Sequence, residues 1–170
     1  MDQATEQLVG ALKQAIQAEG DGYHFYTTAS RTTTDPRGRT LLEVLAQEEL
    51  DHLAFLRAHH ASLLATGQLS GSARLGARRE LGETSPIFSP ELKSRIQEAG
   101  YEMSVLSIAI QLERSSMEFY RGQAEAATDE RVKAFFGELA DWETGHYRAL
   151  LQQQDELAAE FWEAGGFSPF

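Results

Sequence analysis

Leu45-Ala46-Gln47-Glu48-Glu49-Leu50-Asp51-His52-Leu53 sets a glutamate and a histidine one helical turn apart, at Glu49 and His52. The same turn returns 94 positions later in Leu139-Ala140-Asp141-Trp142-Glu143-Thr144-Gly145-His146, as Glu143 and His146. Residues i and i+3 share one face of a helix, so each pair can offer a carboxylate oxygen and an imidazole nitrogen to one point. A further glutamate precedes each pair by 30 positions, Glu19 before Glu49 and Glu113 before Glu143. Four glutamates and two histidines in a twice-repeated register are the ligand set of a carboxylate-bridged metal pair inside a four-helix bundle.

The rest of the chain fits that frame. From Asp2 to about Arg31, Leu8, Leu12, Ala15, Tyr23 and Tyr26 recur at helical spacing, with Glu19 on the same face; Gly20 and Gly22 weaken this helix without ending it. Thr32-Thr33-Thr34-Asp35 reads as a turn and cap, with Pro36 suited to the first position of a second helix running to about Thr66. Its inward stripe is Leu42, Leu45, Leu53 and Leu56, and it carries Glu49 and His52. Gly67 to Ser89 holds the chain's densest cluster of Gly and Ser, and about 67–100 reads as a long crossover between parallel second and third helices. Ser89-Pro90-Glu91 resembles a helix opening there, and Gly100 is a potential break. The third helix, about Tyr101 to Ala127, sets Leu106, Ala109, Met117 and Tyr120 beside Glu113. Thr128-Asp129 caps a fourth, about Glu130 to Glu160, with Phe136, Leu139, Tyr147 and Leu150 beside Glu143 and His146. The chain is therefore expected to be all-α: one domain over 1–160, two antiparallel helical hairpins, and an aromatic tail at 161–170 docked on the bundle or on a second subunit.

Shifting the chain by 94 residues aligns more than the candidate ligands. Ala15-Ile16-Gln17 falls on Ala109-Ile110-Gln111, Phe25-Tyr26 on Phe119-Tyr120, Asp35 on Asp129, and Leu45-Ala46 on Leu139-Ala140. A single Glu-x-x-His is weak, and a duplicated hairpin could merely keep its core. What favours metal is the face: all six polar residues lie on inward apolar stripes. An unpaired buried carboxylate there costs several kcal/mol, and four converging without a cation would repel one another.

Composition narrows the remaining classes. A net charge of −11 opposes a nucleic-acid partner, since a phosphate backbone needs a basic face. No apolar run approaches the roughly 18–20 residues of a membrane span, and no signal pattern opens the chain, so a cytoplasmic protein is expected. The absence of cysteine excludes disulfides, iron–sulfur clusters and thiolate-bound zinc. Redox chemistry would then rely on oxygen and nitrogen ligands and an external electron donor.

At these residues the chain resembles the ferritin-like di-iron superfamily, and within it the rubrerythrin branch, over roughly Gln7–Leu151. The resemblance implies a ferritin-like bundle in which Glu19 and Glu113 are terminal carboxylates, Glu49 and Glu143 bridge two ions, and His52 and His146 bind one each. Iron is the implied metal, with manganese as the alternative and zinc as a substitute. Tyr26 and Tyr120, seven residues after a candidate ligand, resemble tyrosines that hold such carboxylates, and Tyr23 is a further candidate. Three departures stand out. Ser116 occupies the place of an additional rubrerythrin carboxylate, no rubredoxin-like cysteine pairs are present, and Leu50 replaces the haem-ligating Met of bacterioferritin, so haem is not expected.

The implied activity is an oxidoreductase that reduces peroxide or dioxygen with electrons from a donor protein. The alternatives are a ferroxidase for iron storage or detoxification, and a bundle with purely structural metals. A homodimer is expected, as closed twofold assemblies are commonest. Outside the repeated set, His24, His59 and His60 read as structural or surface residues. Asp51 and Asp141 could reach a ligand imidazole or lie exposed, and Trp142 reads as packing. Arg74, Arg78 and Arg79 could dock an acidic partner or simply be solvated.

Overall fold

The computed structural model describes residues 2–79 and 100–164, and among the described residues there are four helices: α1 (Gln3–Thr32), α2 (Pro36–Thr66), α3 (Gly100–Ala126) and α4 (Glu130–Ala164). Local chemistry sets the starts of α1, α2 and α4. The Asp2 carboxylate accepts the Thr5 N–H at 2.8 Å, and the Asp35 carboxylate accepts that of Gly38 at 2.7 Å with Pro36 in the first turn. Asp129 does the same for Arg131 N–H at 2.7 Å. α2 stops at Gly67, whose φ of 72° lies in the left-handed region and whose N–H returns to the Leu63 carbonyl.

One boundary differs from expectation: α4 runs on to Ala164, past the expected end near Glu160. The described part of α3 begins at Gly100, close to the expected Tyr101, and whether Gly100 breaks an earlier helix falls outside the described residues. The glycines inside α1 leave it continuous, because a helix about 45 Å long that buries one face outweighs the ~1 kcal/mol each costs. The proposed helix opening at Ser89-Pro90-Glu91 and the docking of the aromatic tail fall outside the described residues and side chains.

α1 packs along α2 and α3 along α4, and α1 also touches α3. The core forms two apolar clusters. One joins Tyr26 and Ala29 of α1, Leu41, Leu42 and Leu45 of α2, Leu106 and Ile110 of α3, and Leu150 and Leu157 of α4. The other joins Leu12, Leu56, Leu63, Tyr120, Phe136 and Leu139. The C-terminal parts of α2 and α3 share this second cluster, so they run parallel and need a long return connection. Its first part, residues 67–79, lies on the bundle: Ser70 N–H donates to His59 Nδ1 at 3.2 Å, and Leu69 and Leu75 pack on the second cluster. Between the clusters is a polar layer.

Candidate metal centre

Glu19 from α1, Glu49 and His52 from α2, Glu113 from α3, and Glu143 and His146 from α4 meet in that layer, each 3% exposed or less. Helical spacing sets this up, since i and i+3 on α2 and α4 aim both members of a pair inward. The two imidazole rings lie nearly parallel, with centroids 5.7 Å apart. Glu143 turns Oε1 to His52 Nδ1 at 3.1 Å and Oε2 to His146 Nδ1 at 3.6 Å. Glu49 does the same, with Oε2 at 3.7 Å from His52 Nδ1 and Oε1 at 3.8 Å from His146 Nδ1. Glu19 Oε2 closes the His52 side at 3.1 Å, and Glu113 Oε2 the His146 side at 3.2 Å. Two carboxylates thus span both imidazoles, and one carboxylate caps each.

Without cations, protons balance this charge. Burial, and then repulsion from Glu19, hold the Glu49 carboxyl well above its usual range. Burial lifts Glu113 to about 8, against the pull of the His146 imidazole. Glu143 goes the other way: burial would raise it, but hydrogen bonding to His146 and His52 holds it well below. Burial alone would depress both imidazoles, yet the carboxylates around them push His52 and His146 well up. A divalent ion could displace such protons.

The tyrosines cross the bundle. Tyr26 on α1 donates its hydroxyl to Glu113 of α3, and Tyr120 on α3 donates to Glu19 of α1. Burial and the neighbouring carboxylates push both phenols well up, so they remain donors. Each therefore holds the capping carboxylate of the other hairpin, not of its own helix.

The side chains fit a pair of divalent cations. Glu49, Glu113, Glu143 and His146 can each place one ligand atom within 4.8 Å of the others, and so can Glu19, Glu49 and His52, with Glu49 shared. Both oxygens of the buried Glu143 carboxylate face an imidazole nitrogen, and an all-oxygen-and-nitrogen set suits iron or manganese. The chain matches the family model for rubrerythrin over residues 10–154. It belongs to the rubrerythrin family. No curated protein and no solved structure matches it significantly. As a rubrerythrin-family chain it is a di-iron carboxylate protein with an all-α bundle.

In this rubrerythrin-family chain, other residues single out the centre or stand apart from it. Ser116 is half-buried and brings no carboxylate. Tyr23 packs partly buried against the first apolar cluster, its ring next to His24. Asp51 turns away from the imidazoles to the Arg79 guanidinium at 2.9 Å, and Asp141 is exposed. Arg78 lies over the Trp142 ring at 5.0 Å, and Arg74 bonds carbonyls of its own loop. His59 is buried between Phe55 and Phe135.

Two residues escaped sequence reading. Glu48, 1% exposed, accepts from His146 Nε2 at 2.5 Å and from the Arg79 N–H at 2.7 Å. Spacing assigns Glu48 no role, and only its alignment with the apolar Trp142 hints at burial. Gly22 is the second. A Cβ there would meet Glu49 Cδ at 3.4 Å, so the bare backbone of α1 gives that carboxylate its space.

Proposed function

We propose that this protein is a di-iron oxidoreductase that reduces hydrogen peroxide or dioxygen with electrons from an external donor protein. One observation carries the reading: Glu49 and Glu143 each direct one oxygen to each of His52 and His146, the disposition needed to bridge two ions. Glu19 and His52 would hold one ion, and Glu113 and His146 the other. When bound, an iron pair supplies one electron per ion for cleaving an O–O bond.

The protein's own residues supply the rest. Apolar clusters above and below the layer exclude bulk water. Tyr26 and Tyr120 fix the capping carboxylates and keep a proton on each phenolic oxygen beside the centre. Reducing peroxide to two waters consumes two protons and two electrons. The electrons come from outside the 170 residues, which contain no cysteine for a thiolate-bound relay. A cytoplasmic homodimer completes the proposal.

The test is stopped-flow oxidation of the anaerobic Fe(II)-loaded protein, with peroxide and dioxygen in separate syringes. Peroxide reacting faster, with turnover sustained by a reductant, is the expected result. Dioxygen reacting as fast or faster would overturn the peroxidase reading. The second reading, Fe(II) oxidation for storage or detoxification, is favoured by Ser116 standing in place of an additional carboxylate. It predicts repeated oxidation of added Fe(II) and a solution mass of a hollow shell rather than a dimer.

A further inference from the structure

The 94-residue repeat is obeyed by the six candidate ligands and both tyrosines, and beside them it fails at Gly22 against Ser116 and, with a change of charge, at Glu48 against Trp142. Glu48 and Trp142 are equivalent, each directly preceding a bridging glutamate. Their surroundings are not. Glu48 accepts from His146 Nε2 at 2.5 Å, and its other oxygen is held by the Arg79 N–H. Trp142 stands edge-on to the His52 ring, centroids 5.2 Å apart, and His52 Nε2 is buried with no hydrogen-bond partner among the described residues.

The cause lies in the connection between the hairpins. Residues 76–79 reach both α2 and α4: Gly76 approaches Asp51, Arg79 reaches Glu48 and Asp51, and Arg78 covers Trp142. A single segment lying across a pseudo-twofold axis presents different groups to the two equivalent positions. On the Glu48 side it supplies a backbone donor that satisfies a buried carboxylate. On the other side it supplies a guanidinium face that suits an indole.

We propose that this makes the two metal positions unequal, Glu48 causing the position beside His146 to bind its cation more tightly than the position beside His52. The inference rests on the metal-pair reading above. Both imidazoles face the centre through Nδ1, so Nε2 carries the proton when a metal is bound. A carboxylate accepting that proton fixes the tautomer and ring angle and makes the imidazole a stronger donor; such a partner is worth about 10–100-fold in affinity. His146 has one and, among the described residues, His52 has none. Filling is therefore ordered, the His146 position first, and the His52 position exchanges its ion more readily.

The experiment is anaerobic titration of the metal-stripped full chain with Co(II), followed by calorimetry and visible absorption. The wild type is expected to show two steps separated by at least about tenfold. Glu48→Gln keeps the shape and removes the charge; it is expected to weaken the tighter step by about 10-fold or more while leaving the weaker step unchanged. Trp142→Phe is expected to leave the tighter step unchanged. Two indistinguishable steps in the wild type, or a tighter step unaffected by Glu48→Gln, would overturn the inequality while leaving the metal pair intact. No Co(II) binding at all would reject the metal-pair reading and the inequality with it.

Discussion

The hairpin α1–α2 and the hairpin α3–α4 bring the same three ligand types and the same tyrosine to the centre, but different neighbours. Capping distances agree closely, 3.1 Å for Glu19 to His52 and 3.2 Å for Glu113 to His146. The tyrosines are exchanged reciprocally, each bonded to the other hairpin's carboxylate. Next to these matched groups, the repeat sets a charged Glu48 against an aromatic Trp142 and a bare Gly22 against Ser116 as equivalent positions. Groups that point at the shared centre are held to one geometry by the charges they must balance. Those one step outward answer to whatever covers them, and the single connection between hairpins covers the two halves differently.

The strongest way to break the comparison is to remove what both halves share. Glu143→Gln takes a charge from a carboxylate that faces both imidazoles. It should abolish the metal pair, weakening binding on the order of 100-fold or more, as metal analysis after gel filtration would show. Stability against pH in the metal-free protein comes next. Glu113 keeps its proton to about 8 when folded but releases it near 4.5 when unfolded, and Glu49, His52 and His146 are also raised. The folded state thus binds more protons, from about pH 4.5 upward at the glutamates and from about pH 6.5 upward at the histidines. Stability should therefore fall as pH rises through those windows, by up to about 1.4 kcal/mol per pH unit for each group while it is in its own window. Urea melts at stepped pH would check the slope, and loading with metal should flatten it because cations replace the protons.

Smaller effects sharpen the symmetry itself. Tyr26→Phe and Tyr120→Phe each remove a buried hydrogen bond to a carboxylate and should cost about 1.5–3 kcal/mol. The two costs should agree closely, in contrast with the one-sided effect of Glu48→Gln; unequal costs would show divergence reaching further in. Least of all, Gly20→Ala has nothing within 4 Å of its new methyl and should stabilise α1 by about 0.5–1 kcal/mol. Gly22→Ala should gain less, since its methyl touches Glu49, and thermal melts of the pair would show the difference.

Helix positions, caps at Asp35 and Asp129, and the convergence of six side chains were legible in the sequence because each follows from spacing along one helix. A period of 3.6 residues determines which residues share a face, and the repeat determines that two such faces match. The destinations of Tyr26 and Tyr120 were half legible: their inward face was clear, their partner across the bundle was not. Glu48 and Gly22 could not be read. Nothing in the spacing marks Glu48, and Gly22 reads as a helix weakness; each owes its role to a neighbour distant in sequence, Arg79 and His146 for the first, Glu49 for the second. The sequence alone therefore determined the bundle and its symmetric set of acids and imidazoles, through periodicity and burial. Only the tertiary structure decided how the halves differ, because the segment laid across the twofold axis meets one side with a backbone N–H and the other with a guanidinium.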